Sequence, residues 1–224
     1  MQLRSDWSRR EVVDANTLDW MPSPSAGVER KMLERDGDEV ARATSIVRYA
    51  PGSHFDNHVH ALGEELFVLE GEFCDATGRF GPGSYIRNPP GSSHAPWSDT
   101  GCVLFVKLRY FDPQDMARVV VHTREEPWLP GLVPGLSVMP LHDFRTAHTA
   151  LVRWAPNTYF NPHRHYGGEE ILVVEGTFED EHGRYPAGSW IRSPHLSQHQ
   201  PFSREDCIIL VKTGHLITDA EAAA

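Results

Sequence analysis

The chain has 224 residues, 40% of them hydrophobic, and a formal net charge of −10. That is enough apolar material for packed cores and too much for a disordered chain. The acidity argues against a phosphate-tracking nucleic-acid surface and against docking on anionic membranes, and no apolar run is long enough to span a bilayer.

Residues 1–14 are charged and lack the apolar stretch of a signal peptide, so a cytoplasmic protein is expected. The segments that follow are short and β-like: ATSIVRY, ELFVLEGEF, SYIRN and CVLFVKLRY. They are bounded by PG, TG, GPG and PPG, turn signals that suggest antiparallel strands in a sandwich or barrel. No glycine-rich phosphate loop sits between a strand pattern and a helix pattern, which argues against a nucleotide-binding α/β fold.

After residues 111–117 the series begins again. A shift of 105 residues brings IVRYAP onto LVRWAP, EELFVLEG onto EEILVVEG and GSYIR onto GSWIR without a gap. Upstream the shift becomes 108: Trp20, Pro22, Gly27 and Leu33 meet Trp128, Pro130, Gly135 and Leu141. The first copy therefore holds three extra residues between Leu33 and Thr44, read as a longer loop. The expected organisation is a first domain at 1–110, a connector at 111–117 and a second domain at 118–224, with the terminal AEAAA frayed. The three cysteines form no CxxC pair, and Cys102 and Cys207 occupy equivalent apolar runs, so buried structural thiols are expected.

The sharpest chemical signal is His58-Val59-His60. On a strand, side chains at i and i+2 share a face, so two imidazoles converge. A carboxylate pair, Glu64 and Glu65, opens the next apolar strand, and only one of the two can face the histidines. His94 follows the tight turn Pro89-Pro90-Gly91. The second copy repeats the set as His163, His165, Glu169 with Glu170, and His199. A lone HxH is a weak signal, because surface strands carry such pairs by chance. Here both copies preserve every ligand type, while the other seven of the thirteen histidines have no histidine counterpart. Three imidazoles and a carboxylate suit Zn, Fe, Mn, Ni or Co. Tyr85 with Arg87, and Trp190 with Arg192, are further i, i+2 pairs. They are candidate pocket residues that could orient an anionic or enolate substrate, and the plain alternative is a ladder or an arginine tied to a neighbouring carboxylate.

These residues resemble the cupin superfamily, whose first motif reads G-x5-H-x-H-x3,4-E-x6-G. Gly52, His58, His60, Glu64 and Gly71 match it, and so do His163, His165, Glu169 and Gly176, with Asn157 in place of the leading glycine. The second motif, G-x5-P-x-G-x2-H-x3-N, is matched by Gly83, Pro89, Gly91 and His94, with Ser98 where Asn is usual. Gly188, Pro194 and His199 match it again, with Leu196 in place of a glycine, so a different turn is expected there. The motif favours Glu64 and Glu169 over their neighbours as the ligands.

The phrases GEELFVLEGEF, GSYIRNPPGSSHAPWS and GGEEILVVEG look more narrowly like the ChrR cupin-like family. The resemblance covers nearly the whole chain. It implies an all-β protein of two tandem cupin jelly-roll β-barrels, of the RmlC-like double-stranded β-helix type, each holding a divalent metal. Zn or Fe(II) is the first expectation, with Ni, Mn or Co as alternatives. In ChrR-type anti-sigma factors such a cupin is the effector half of a regulator of an extracytoplasmic-function sigma factor. That points to a sensory module with a sigma factor as partner, although the helical half with its HxxxCxxC zinc motif has no counterpart in the sequence. Related cupins are Fe(II) dioxygenases that cleave diketones and hydroxyacetophenones, which points instead to a small-molecule substrate. A homodimer is a further family expectation. The first copy, which matches the motif at every glycine, is the better candidate for chemistry or sensing.

Overall fold

A computed structural model describes residues 1–216; the AEAAA tail lies outside them. Among these residues the chain is built from β-strands and one short 3-10 turn, Ala15–Thr17. Two compact units emerge. The first comprises Met1–Ser5 with Leu18–Glu126, and the second comprises Asp6–Thr17 with Pro127–Ala224.

In the first unit the main sheet runs Gln2–Leu3, Val28–Gly37, Ala41–Tyr49, Cys102–Leu108, Glu64–Gly71, Ser84–Asn88, Val119–His122, with each neighbouring pair antiparallel. A smaller sheet runs Gly78–Phe80, Phe73–Asp75, Trp97–Ser98, Ser53–His54, and His58–His60 pairs with Ser92–His94 as a two-stranded ribbon. In the second unit the main sheet runs Leu129–Pro130, Leu136–Phe144, Ala147–Trp154, Cys207–Thr213, Glu169–Asp180, Ser189–Ser193, Glu11–Asp14. Its ribbon pairs His163–Arg164 with Gln198–His199. Both units are tandem jelly-roll cupin barrels.

Each unit thus contains an outer strand from beyond its own repeat. Glu11–Asp14 lies against Ser189–Ser193 of the second unit, and Val119–His122 lies against Ser84–Asn88 of the first. The boundaries at 110 and 118 that the repeat suggests differ from these units for this reason: sequence similarity marks equivalent strands, while compactness follows where they hydrogen-bond. The three extra residues of the first copy lengthen a hairpin, whose strands pair as far as Gly37 and Ala41, where the second copy closes at Phe144 and Ala147.

Strand alternation sorts the side chains. Along Glu64–Gly71, Leu66 and Val68 enter the barrel core with Ile86, Phe73, Tyr49 and Leu104, while Glu65 and Phe67 face the other side. Both faces are buried, which is why the strand reads as a continuous apolar run. The second core repeats the set with Ile171, Val173, Ile191, Phe178, Trp154 and Ile209. All three cysteines are free and buried. Burial pushes the thiols of Cys102 and Cys207 up to about 11 and about 12, so both are unreactive core groups.

Candidate metal centres

The ribbon makes the site. His58 and His94 are direct cross-strand partners, as are His163 and His199. His60 and His165 sit two residues along on the same face. The next strand begins at Glu64 or Glu169, whose first carboxylate returns beneath the ribbon. In each unit one ligand atom from each of the four residues lies within 4.8 Å of the other three. Glu64 Oε2 is 3.3 Å from His60 Nε2 and 3.4 Å from His94 Nε2. The equivalent distances at Glu169 are both 3.6 Å. These are close to the ~3 Å edge expected between ligands that share one ion at ~2.1 Å.

The two four-residue donor sets fit a divalent cation on their own evidence of need. The Nε2 atoms of His60, His94, His165 and His199, and Oε2 of Glu169, are buried without a hydrogen-bond partner. A buried polar atom left in that state is costly unless something occupies the point it faces. At four of the six histidines the other ring nitrogen is engaged. His58 Nδ1 donates to the Asp56 carbonyl at 2.8 Å, and His163 Nδ1 donates to the Asn161 carbonyl at 3.0 Å. His94 Nδ1 lies 3.3 Å from Asp75, and His199 Nδ1 lies 3.5 Å from Asp180. Each contact places the proton on Nδ1 and leaves Nε2 as the lone pair facing the centre.

Burial favours the neutral ligand form at three of the histidines. Burial pushes His60 and His163 down, and it takes His165 down to about 3 with help from the neighbouring imidazoles. Burial works to raise the Asp75 carboxyl, yet its bonds from His94 and Thr77 hold it at about 2. Asp180 is also held at about 2, against burial, by His199, Tyr185, a backbone N–H and Arg10. The two sites differ at the glutamate. Asn88 Nδ2 donates to Glu64 Oε2 at 3.1 Å, whereas the equivalent of Asn88 is Ser193 and burial raises Glu169 to about 7. Against burial, Asp180 and Glu169 raise His199. A metal binding at the second site would therefore compete with protonation of Glu169.

Asp75 and Asp180 are the functional residues that motif reasoning misses. They were findable, because Phe73-Cys74-Asp75 and Phe178-Glu179-Asp180 obey the same 105-residue shift as the ligands. Glu65 and Glu170 face away from the histidines. Glu65 accepts from Tyr85 Oη at 2.8 Å, and Glu170 accepts from Trp190 Nε1 at 2.7 Å.

The expectation of a pocket role for Tyr85, Arg87, Trp190 and Arg192 needs correction. Ile86 and Ile191 take the core-facing positions, so their neighbours in the strand point to the opposite, buried face. Arg87 pairs with Asp115 at 2.8 Å and stacks over Phe111, and Arg192 donates to the Asp6 carbonyl at 2.7 Å. Arg87 is the arginine tied to a neighbouring carboxylate, the plainer of the two readings, while Arg192 reaches a backbone carbonyl.

In the first unit a cavity of ≈ 330 Å³ opens directly on the cluster. His58, His60, Glu64 and His94 form part of its wall, and Val28, Val47, Leu66, Leu104 and Val106 are among its apolar lining residues. Trp97 pairs with His54 and Cys74 in the smaller sheet.

With that geometry in place, comparison with known proteins is decisive for the family. Residues 8–112 and 116–217 each match the ChrR Cupin-like domain. The chain belongs to the ChrR cupin-like family. No curated protein matches this cupin significantly. Solved structures similar to it include a protein from Nostoc punctiforme provisionally described as a dioxygenase (15% identity, TM-score 0.77, covering 96% of this chain and 86% of that one). Others are YlbA from E. coli (13%, 0.73, 96% and 95%) and the Lactobacillus farciminis oxalate decarboxylase in its formate complex (14%, 0.64, 92% and 86%). At such identities the likeness establishes the cupin fold alone.

Proposed function

We propose that this chain is a divalent-metal cupin whose first unit is the working site, where a small oxygenated organic molecule meets the ion and is cleaved with O2. The observation that supports it is the cavity, which has the four candidate ligands in its own wall. A purely structural zinc needs no such approach, whereas a catalytic ion needs an open position beside a mostly apolar chamber of this size. His58, His60, Glu64 and His94 would hold the ion, with Asp75, Asn88 and the Asp56 carbonyl orienting three of them. An ion bound there supplies Lewis-acid polarisation and, if it is iron, electrons for oxygen chemistry. The chain's own contribution is to exclude water with its apolar walls and, by burial, to favour the neutral form of His60. For cleavage with O2, Fe(II) is the first choice for a set of three imidazoles and one carboxylate, because Zn is redox-inert.

The test is anaerobic reconstitution with Fe(II) followed by oxygen uptake on a panel of diketones, phenolic ketones and keto acids. Uptake that disappears in His60→Ala supports the reading. Silence across the panel, with the first site fully loaded, sinks it.

A regulatory role is the second reading, favoured by the match of both halves to the ChrR Cupin-like domain. There the ligand would be a signal, and the partner an extracytoplasmic-function sigma factor. Pull-down with co-encoded sigma factors tests it, and no complex at micromolar concentration removes it.

A further inference from the structure

The first cavity carries a charge that the acidic chain as a whole does not suggest. Arg30 and Arg35 pair across the sheet with Val47 and Ala43, and all four line the cavity. Strand alternation sends both arginine side chains inward. The terminal nitrogens of Arg30 meet Glu39 at 3.1 Å, but its Nε is buried without a partner. Arg109 lines the same cavity, is half-buried, and has no side-chain hydrogen bond or ion pair among the described residues. Setting aside Glu64, the one carboxylate in the lining is Glu39. In the second copy the equivalents of Arg30 and Arg109 are Val138 and Gly214. The hairpin extension that brings in Glu39 is specific to the first copy.

Resting on the reading of this chamber as a ligand cavity, we infer that its ligand is a small monocarboxylate with an apolar body. The anion meets Arg109, and the body lies on Val47, Leu66, Leu104 and Val106. Charge-assisted bonds in a partly dry cavity discriminate strongly between a carboxylate and its uncharged amide.

Calorimetric titration of the metal-loaded full chain with hexanoate and benzoate, against hexanamide and benzamide, tests this. Saturable binding of the acids is expected, weaker by about tenfold or more for the amides. Arg109→Gly, which installs the second copy's own residue, loses as much while leaving melting temperature and metal content unchanged. If neither acid binds, if amides bind equally, or if R109G binds the acids unchanged, the inference is overturned. Metal analysis on the same samples keeps the two readings apart. Acid binding by a chain that takes up no metal would overturn the metal reading alone.

A second inference stands on different contacts. Arg10 donates from one terminal nitrogen to Asp180 at 3.1 Å and to Tyr185 Oη at 2.8 Å, and Asp180 is the carboxylate beside His199 Nδ1. Its counterpart under the 108-residue shift, Arg118, donates to Thr77 Oγ1 at 2.7 Å. Thr77 in turn bonds Asp75, the carboxylate beside His94. Both arginines precede the outer strands that come from beyond the repeat, Glu11–Asp14 in the second unit and Val119–His122 in the first. The geometry assigns Arg10 and Arg118 as positioning residues for the metal-facing histidines. Arg10 acts through one carboxylate, and Arg118 acts through a hydroxyl and a carboxylate.

The sites are read singly, in full-length chains carrying His60→Ala (second site only) or His165→Ala (first site only). Co(II) affinity and its visible spectrum are measured. Arg10→Ala is expected to weaken the second site by roughly tenfold, with Arg10→Lys recovering most of the loss. Arg118→Ala should affect the first site, and less strongly. Unchanged affinity and spectrum in R10A, or an equal loss in R10A and R10K at unchanged melting temperature, would overturn the assignment.

Discussion

At the scale of single residues, the two sites make independent predictions. His60→Ala should remove one equivalent of metal per chain and His165→Ala the other, as read by metal analysis on protein purified without chelator. Asp75→Asn keeps the shape but replaces the carboxylate that holds His94 Nδ1, so first-site affinity should fall about 10- to 100-fold. Acid sensitivity has a defined sign in the metal-free chain. The folded pKa of His165, about 3, lies below its ordinary 6.5. Its contribution to stability is therefore complete above about 6.5 and is lost as the pH falls towards 3. His199 works in the opposite sense, since its pKa is raised. Melting temperature against pH should fall less steeply in His165→Gln than in the parent chain across that window. The ligand residues were legible because their chemistry recurs at one fixed shift. Asp75 and Asp180 recur at the same shift, but an acid at a strand end has no spacing rule that points to a histidine 19 residues later.

At the scale of elements, the turns show how two sequences give one geometry. Gly91 at φ 81° and Leu196 at φ 60° both adopt the left-handed conformation. Each donates its N–H at 2.8 Å to the carbonyl of the middle histidine, His60 or His165. The turn expected to differ at Leu196 is therefore retained, with a leucine held where glycine is comfortable. A non-glycine residue there costs about 1–2 kcal/mol. Leu196→Gly should thus raise stability by up to about 1 kcal/mol once the greater freedom of the unfolded glycine is offset, as measured by denaturant unfolding of the metal-free chain. Gly71 is the converse case. It has φ 70° at the end of the ligand-bearing strand, and an added Cβ would lie 2.0 Å from the Gly101 carbonyl oxygen. Gly71→Ala should destabilise the first unit by several kcal/mol, because backbone strain and a backbone clash act together. The motif glycines were readable as positions. Which face Tyr85 and Arg87 occupy was not, because a strand buried on both sides gives no polar-apolar alternation to read.

At the scale of the molecule, the repeat makes the fold class plain and leaves the units open. A sequence repeat identifies equivalent strands, but it does not say which sheet a terminal strand completes. The residues that settle this are Glu11–Asp14, in register with Arg192 to Ser189, and Val119–His122, in register with Arg87 to Ser84. A polypeptide of residues 18–126 therefore keeps the first main sheet's Val119–His122 strand, losing the short Gln2–Leu3 pairing. A polypeptide of residues 118–224 lacks the strand that covers Ser189–Ser193 and lacks Arg10 beside Asp180. The first should be soluble, should unfold cooperatively and should bind one divalent ion. The second should expose an unpaired edge next to buried Trp190 and Arg192, and it should aggregate or bind metal poorly. Deleting residues 1–17 from the whole chain should likewise cost the second ion and spare the first. Calorimetry with metal analysis reads both, and a fully loaded second site in the shortened chain would show that the exchanged strand does not hold it.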